Sequence, residues 1–396
     1  MQAALSLVFF IVLFPALSGC VYLLVLTLFS RSLPQHHASS QKDTRFDLLI
    51  PAHNEAEVIE QTLQSLKKLQ WPKAHYRLIV IADNCTDDTA VIAKACGATV
   101  LQRKNDRLRG KGYALECGIQ FCLESAQADA VVVIDADTQV SANLLACFAS
   151  RLSSGAQAIQ AHYGVLNPDE SWRTRLMTIA YSAFHAVRSR ARERMGLSCG
   201  LRGNGMCFSR ALLLEHPPRV YSLAEDIEYG VLLGLNGIRV HYVDEAQVLA
   251  ELPTSGTDSS SQRQRWEAGR FAVAKTYTRR LLRHAVTHRN RVSLDLALDL
   301  LTLPLAYLCL SIVVTACLAG LASLIYPDQI LWVWLCMGLL GMLILHVLRG
   351  WQLCPLGPAA LLDLLRVPFF IGWKLFVMVK HRRNASWIRT KRNNRR

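Results

Sequence analysis

Residues 131–137 read Val-Val-Val-Ile-Asp-Ala-Asp. Consecutive β-branched residues predict a strand buried on both faces, as in a parallel sheet. The expected strand runs Val131–Asp135, so it ends in two carboxylates with one residue between them. Ligands of open parallel sheets bind outside the carboxyl ends of strands, which puts Asp135 and Asp137 where a ligand belongs. Hard cations such as Mg²⁺ or Mn²⁺ take oxygen ligands and share them with substrate phosphates. The bland alternative for such an aspartate is a helix cap. A second strand-end aspartate, Asp83, weighs against it.

Outward from that stretch, Phe46–Leu252 alternates short apolar runs with helical patterns, the signature of an α/β fold. Further strands are expected at Asp47–Pro51, Leu78–Asp83, Thr99–Gln102, Ala158–Ala161, Met206–Ser209 and Val240–Val243. Helices are expected at Glu55–Leu69, Asp87–Ala95 and Tyr113–Glu124. The polar stretch Pro51-Ala52-His53-Asn54-Glu55 follows the first strand and Asp83 ends the next. No G-x-G-x-x-G or G-x-x-x-x-G-K-[ST] occurs, so a dinucleotide oxidoreductase and a P-loop enzyme are not supported.

Asp83 is expected to contact a nucleotide base, whereas Asp87 or Asp88 suits a helix cap. Lys111, between Gly110 and Gly112, opens a helix and supplies positive charge for a nucleotide; a solvated loop lysine is the alternative. Asp226 begins a helix after Leu223-Ala224 and can take the proton of an attacking hydroxyl. Glu225 and Asp226 also read as first-turn acids favoured by the helix dipole. In Gln262-Arg263-Gln264-Arg265-Trp266, the arginine can neutralise a leaving diphosphate and the indole can cover a sugar or the acceptor mouth. An amphipathic helix with an interfacial tryptophan is compatible with that role. The Ser/Thr-rich stretch Thr254–Ser261 reads as a flexible loop and candidate lid.

Hydrophobic residues make up 52% of the 396, concentrated at the two ends. The net charge is +14. The basic residues gather beside apolar segments, at Arg263–Arg291 and Lys380–Arg396. That placement suits anionic lipid headgroups better than nucleic acid. The twelve cysteines include no C-x-x-C pair and read as reduced, structural thiols. Spans are expected near Leu5–Phe29, Leu301–Ile325 and Leu331–Leu348. Leu17-Ser18-Gly19-Cys20 looks like a lipoprotein cleavage box, but no basic residue precedes Arg31 and the apolar run continues past Cys20. Arg31, Lys42 and Arg45 place the end of the first span in the cytoplasm. Leu361–Lys380 carries Asp363, Arg366, Lys374 and Lys380 on one helical arc, so an interfacial helix is expected over a fourth span. The expected organisation is a first span over 1–30, a catalytic domain over 45–292, two spans over 293–350, and an interfacial helix with a basic tail over 351–396.

These motifs resemble those of inverting family 2 glycosyltransferases of the GT-A fold, in the membrane-embedded branch with cellulose, chitin and hyaluronan synthases and bacterial exopolysaccharide transferases. The resemblance covers about Phe46–Phe271. It implies an α/β, Rossmann-like GT-A domain with membrane helices at both ends. It implies a nucleotide-sugar site of Pro51, Ala52, Asn54, Glu55, Asp83, Lys111 and Asp135. Asp135 and Asp137 would hold Mg²⁺ or Mn²⁺ and the diphosphate, and Asp226 would be the base. Gln262, Arg265 and Trp266 would form the terminal motif beside Glu225, with Gly203-Asn204-Gly205 as the acceptor loop. Implied partners are a nucleotide sugar (a UDP-sugar first), a lipid-linked or polysaccharide acceptor, membrane lipids and other polysaccharide-synthesis proteins. Ala224 stands where the family's T-E-D has threonine, and three spans are few for a polymer channel, which favours single transfer to a lipid-linked acceptor. Ceramide-type glycolipid glucosyltransferases share a late R-W pattern. A catalytically silent scaffold and a transporter are the readings from other classes; Asp137 and Asp226 are both present, against the first, and the spans carry little charge, against the second.

Overall fold

The structure is a computed structural model that describes residues 2–34, 43–252, 256–369 and 372, with the side chains of 256–263 excepted. Eight strands form one sheet: β1 (Phe46–Ala52), β2 (Tyr76–Asp83), β3 (Thr99–Arg103), β4 (Ala130–Val133), β5 (Thr138–Val140), β6 (Ala158–Val165), β7 (Met206–Ser209) and β8 (Val240–Ala250). Their order is β3-β2-β1-β4-β7-β6-β8-β5. β1 to β4 run parallel, and β7 is antiparallel to both β4 and β6. Leu48, Leu49 and Ile50 are fully buried, because β1 sits mid-sheet with side chains entering both cores. Asp47 is buried on the same strand and is held by Arg77, its register partner on β2, at 2.6 Å.

The chain leaves β1 for β2 and β3 on one side, then returns to add β4 on the other. The crevice outside the ends of β1 and β4 is therefore the switch point where such sheets bind ligands. β4 stops at Val133, two residues before the expected Asp135. The reason is local: the Asp135 N–H donates to the Asn204 side chain at 3.1 Å, so the chain turns out of the sheet there. β8 is longer than the expected Val240–Val243. Its ladder with β6 skips residues between Ala161↔Val243 and His162↔Gln247. That irregularity carries Asp244 and Glu245, whose charges hid the strand's continuation.

Three helices, Gln2–Phe29, Leu305–Ser323 and Pro327–Gln352, are long and apolar enough to cross a membrane. They pack through Leu13, Cys20, Leu23, Leu308, Ile312 and Leu339. Arg349 donates to the Ser30 hydroxyl and carbonyl at 2.9 and 2.8 Å, and Gln2 reaches Asp328 at 2.6 Å at the opposite end. The part of the chain that carries the sheet lies at the Ser30–Arg349 end, where Arg194 donates to the Ser32 carbonyl. The second span begins at Leu305 rather than Leu301, because Pro304 disfavours helical geometry at Leu303. Residues 291–301 form a separate helix instead. The expected loop at Thr254–Ser261 is corrected in part: the backbone is helical from Gly256 through Thr287, and 253–255 lie outside the described residues. Short polar residues favour a helix start as well as a loop, which explains the ambiguity. Of the expected interfacial helix Leu361–Lys380, residues 361–369 and 372 are described. There Asp363 turns inward to Arg175 at 2.5 Å and pairs with Arg366 at 2.7 Å. Lys374, Lys380 and the Lys380–Arg396 tail lie outside the described residues.

Helix 330–352 crosses the helical stretch 172–194 at Gly350. A Cβ there would lie 2.8 Å from the Ala183 Cβ and 2.9 Å from the Ile179 carbonyl oxygen. Gly350→Val is expected to cost about 1–3 kcal/mol, since neither neighbour is a movable side-chain end. Thermal unfolding of the detergent-solubilised chain checks this, and an unchanged midpoint would contradict the tight crossing.

Candidate active site

One cavity of about 1250 Å³ opens at the carboxyl ends of the central strands and continues between the membrane helices. Pro51, Ala52, Glu55, Asp83, Lys111, Asp135 and Asp137 line it, with Gly203, Glu225, Asp226, Arg265 and Trp266. Elements far apart in sequence thus meet there: the turns after β1 and β4, the end of β2, the start of helix 111–125 and the start of helix 225–235.

Lys111 stands at the centre. Its ammonium donates to Asp135 and, at 2.7 Å, to the Gly203 carbonyl. A solvated loop lysine is thereby excluded. Burial works against its charge, but Asp135 and Glu225 outweigh that and hold its pKa above the ordinary value. Gly203 has φ +77°, and a Cβ on it would lie 3.3 Å from Asp226 Oδ2 and 3.6 Å from Lys111 Nζ. Only glycine fits between the Asp226 carboxylate and the Lys111 ammonium.

Glu225 and Asp226 are half-buried, with part of their surface on the cavity. Burial and then the neighbouring Asp226 push Glu225 up to about 7. Burial also raises Asp226, opposed by the Ile227 N–H, Lys111 and Arg202. A carboxyl whose pKa is raised is the stronger proton acceptor once it is ionised. Ala224 explains how this helix start is covered. Gly269 approaches so closely that a Cβ on it would lie 2.9 Å from the Ala224 Cβ. A threonine at 224 would crowd the helix carrying Arg265 and Trp266.

Other expected residues do structural tasks. The Asn54 side chain, at φ 57°, accepts from the Thr86 N–H at 2.7 Å and pins the loop after β2. Asp83 is paired with Arg103 at 2.6 Å. Fully buried Asn204 accepts from the Asp135 N–H and donates to the Thr138 hydroxyl at 2.8 Å, clamping the Asp135–Asp137 turn from behind. Gly205 is enclosed, with Val248 2.7 Å from where its Cβ would be. Gln262 lies on the helical backbone of 256–287, its side chain outside the described residues.

Sequence reading missed Tyr163, Tyr181, Phe184, His185, Arg188 and Arg202, all on the cavity wall. The Tyr181 ring lies 6.3 Å from that of Trp266 and 4.8 Å from His185. The available signal was the spacing of Arg188 and Arg192, which share one helical face. The turn 183–187 is π-helical, so a 3.6-residue count through it fails.

Among the described residues no three His, Cys, Asp or Glu side chains gather to hold a metal alone. Asp135 and Asp137 supply hard oxygen donors, and a cation, the Lys111 ammonium, already rests on Asp135. The donor set fits a divalent ion whose remaining ligands come from phosphates.

The sheet order, with this carboxylate-lined switch point, defines a GT-A glycosyltransferase. Residues 44–269 match the family model described as glycosyltransferase like family 2, and the chain belongs to that family. It is 24% identical over 277 residues to the probable glycosyltransferase YdaM of Bacillus subtilis, covering 68% of this chain and 64% of the relative. It is 26% identical over 232 residues to glucomannan 4-beta-mannosyltransferase 7 of Arabidopsis thaliana, covering 56% of this chain and 41% of the relative. It is 26% identical over 263 residues to beta-monoglucosyldiacylglycerol synthase of Nostoc sp., covering 65% and 55%. The chain thus spans less than two thirds of each relative's length. The mannosyltransferase PcManGT of Pyrobaculum calidifontis, solved with GDP-Man and Mn²⁺, superposes with a TM-score of 0.54 at 15% identity, covering 88% of this chain and 99% of that one. That likeness shows the fold.

Proposed function

We propose that this glycosyltransferase moves a sugar, with inversion, from a nucleoside-diphosphate donor (a UDP-sugar first) to a lipid-linked or growing polysaccharide acceptor at the cytoplasmic membrane face. The observation that carries this is the meeting of Asp226, Lys111 and Asp135 around Gly203 in one cavity that also reaches the membrane helices. Asp226 takes the proton of the acceptor hydroxyl. The hydroxyl oxygen bonds to the anomeric carbon as the bond from that carbon to the diphosphate oxygen breaks, and the nucleoside diphosphate leaves. Lys111 and Arg265 balance the charge of the departing diphosphate. Trp266, beside Tyr181, covers the acceptor mouth and excludes water. Asp137 and Asp135 would hold Mg²⁺ or Mn²⁺, which supplies further neutralisation of the diphosphate.

In this reading 45–292 is the catalytic domain, and 1–30 and 293–350 hold the spans, with helix 291–301 lying between the domain and the span that starts at Leu305. Basic residues beside the spans favour the cytoplasmic side.

Membranes carrying the chain, incubated with a panel of labelled nucleotide sugars, test the reading. Label is expected in lipid or polymer. Asp226→Asn is expected to keep nucleotide binding within about threefold and to lower turnover about 10²-fold or more. Near-normal turnover would remove Asp226 from the role and point to Glu225. Asp137→Ala, and excess chelator on the parent enzyme, are each expected to abolish transfer while the chain still inserts in the membrane. Full turnover in chelator would contradict the metal assignment.

A further inference from the structure

The cavity has two unlike limbs. At one end stand Asp135, Asp137, Lys111, Glu225 and Asp226. At the other it is walled by Leu305, Cys309, Leu340, Leu343, Ile344 and Val347 of two membrane helices. At about 1.5 Å per residue, Leu340 lies roughly 13 Å along its helix from Arg349, the basic residue at the catalytic end. Ile344, within that stretch, is exposed on the outside of the helix bundle. An apolar channel of that depth matches hydrocarbon rather than a hydrated glycan.

Between the limbs lies a collar of positive charge. The Phe184 ring is flanked by the guanidiniums of Arg202 at 4.2 Å and Arg188 at 4.8 Å. His185 follows on the same π-helical turn. Arg188 and His185 are more than nine-tenths buried and both line the cavity. Among the described residues their Nε and Nδ1 atoms have no hydrogen-bond partner, and neither has the Nε of Arg202. Among the described residues no carboxylate lies within ion-pair distance of Arg202; its Nη2 donates to the Cys199 carbonyl. Arg188 and Arg192 pair with the Asp299 carboxylate at 3.0 and 2.9 Å, Arg270 donates to the Asp299 backbone carbonyl, and Arg202 acts on the carboxylate from farther away. Asp295, paired with Arg192 at 3.0 Å, is the second acid of the cluster. With Asp226, on which Arg202 also acts, the count is four cations against three anions. Glu267, also on the wall, accepts from Tyr307 at 3.3 Å. Excess buried positive charge with unmade hydrogen bonds is costly unless an anion completes it.

We infer that the acceptor is an anionic lipid: its hydroxyl-bearing head lies at Asp226, a phosphate group sits in the Arg188–Arg202–His185 collar, and its hydrocarbon occupies the limb between the two membrane helices. This rests on the transfer reading above and narrows its acceptor. The order of the three environments along the cavity matches the order of head, phosphate and chain in such a lipid. The collar is next to the chemistry: Arg202 is adjacent in sequence to Gly203, and the His185 ring lies 5.2 Å from that of Tyr163, which borders the cavity. Two lipid sources share this chemistry, a polyprenyl diphosphate sugar and a phosphodiester lipid with a polyol head.

The test uses the full chain in phosphatidylcholine nanodiscs doped in turn with polyprenyl diphosphate N-acetylglucosamine, phosphatidylinositol, diacylglycerol or ceramide. Transfer from the panel of labelled nucleotide sugars and lipid retention by native mass spectrometry are both read. Retention and labelling of one anionic lipid, and of neither neutral lipid, are expected; which one is labelled distinguishes the two sources. Arg202→Gln and His185→Gln are each expected to weaken anionic-lipid retention and raise its KM about tenfold or more, with nucleotide KM within about threefold. Arg202→Lys is expected to recover part of the loss. Equal retention or labelling of neutral lipid would overturn the inference while leaving sugar transfer standing. So would a rise in nucleotide KM with lipid retention unchanged, which would assign the collar to the donor's diphosphate. Retention of anionic lipid with no label from any donor would instead overturn the transfer reading and leave the collar's ligand as inferred.

Discussion

The Lys111 ammonium is the point on which the site depends. Glu225, Asp226 and Asp135 face the same cavity space, and burial raises the pKa values of Glu225 and Asp226. One cation, bound to Asp135 and the Gly203 carbonyl, opposes that rise. The surrounding structure serves this arrangement. β4 ends early so that Asp135 can turn toward the lysine, Asn204 clamps the turn, and Gly203 leaves room for both charges. Helix 225–235 aims its first-turn acids from the other side, where the helix dipole favours them.

The junction with the membrane repeats the motif with the signs exchanged. Arginines outnumber the acids there, and the pairs of Arg188 and Arg192 with Asp295 and Asp299 join stretch 172–194 to helix 291–301. Tyr22 adds the first membrane helix through a 2.7 Å bond to Asp295. Burial opposes ionisation of Asp299, yet Arg192, Arg270 and Arg188 hold its pKa far below the usual carboxylate range. The catalytic sheet is thereby fixed to the spans by charge as well as packing, which keeps the two limbs of the cavity aligned.

Much of the catalytic end was legible because strand-end polar residues have a fixed address in an open parallel sheet. The runs before Pro51, Asp83 and Asp135 are short and uniformly apolar, so their ends are easy to read, and all three residues reach the cavity. The glycine–asparagine–glycine loop misled in part: its asparagine serves the backbone of Asp135, which no local pattern reveals. The arginine collar was invisible for two reasons. A π-helical turn breaks the helical period just ahead of Arg188, and the opposing acids lie about a hundred residues later, where Asp295 and Asp299 read as the edge of a span. The break before Leu305 was signalled by Pro304, but the apolar run on both sides hid it.

The most direct test of the central claim is the pH profile of kcat/KM for Lys111→Met beside the parent enzyme, with the same donor and acceptor. Lys111 lowers the pKa of both Glu225 and Asp226, so its removal raises them. The base must be ionised to work, so raised pKa values move the acid limb to higher pH. The account predicts a limb displaced upward by about one pH unit or more in the variant, on top of a lower plateau. An acid limb at the same pH in both proteins would contradict it, because Lys111 would then not be the charge that holds the base in its working state.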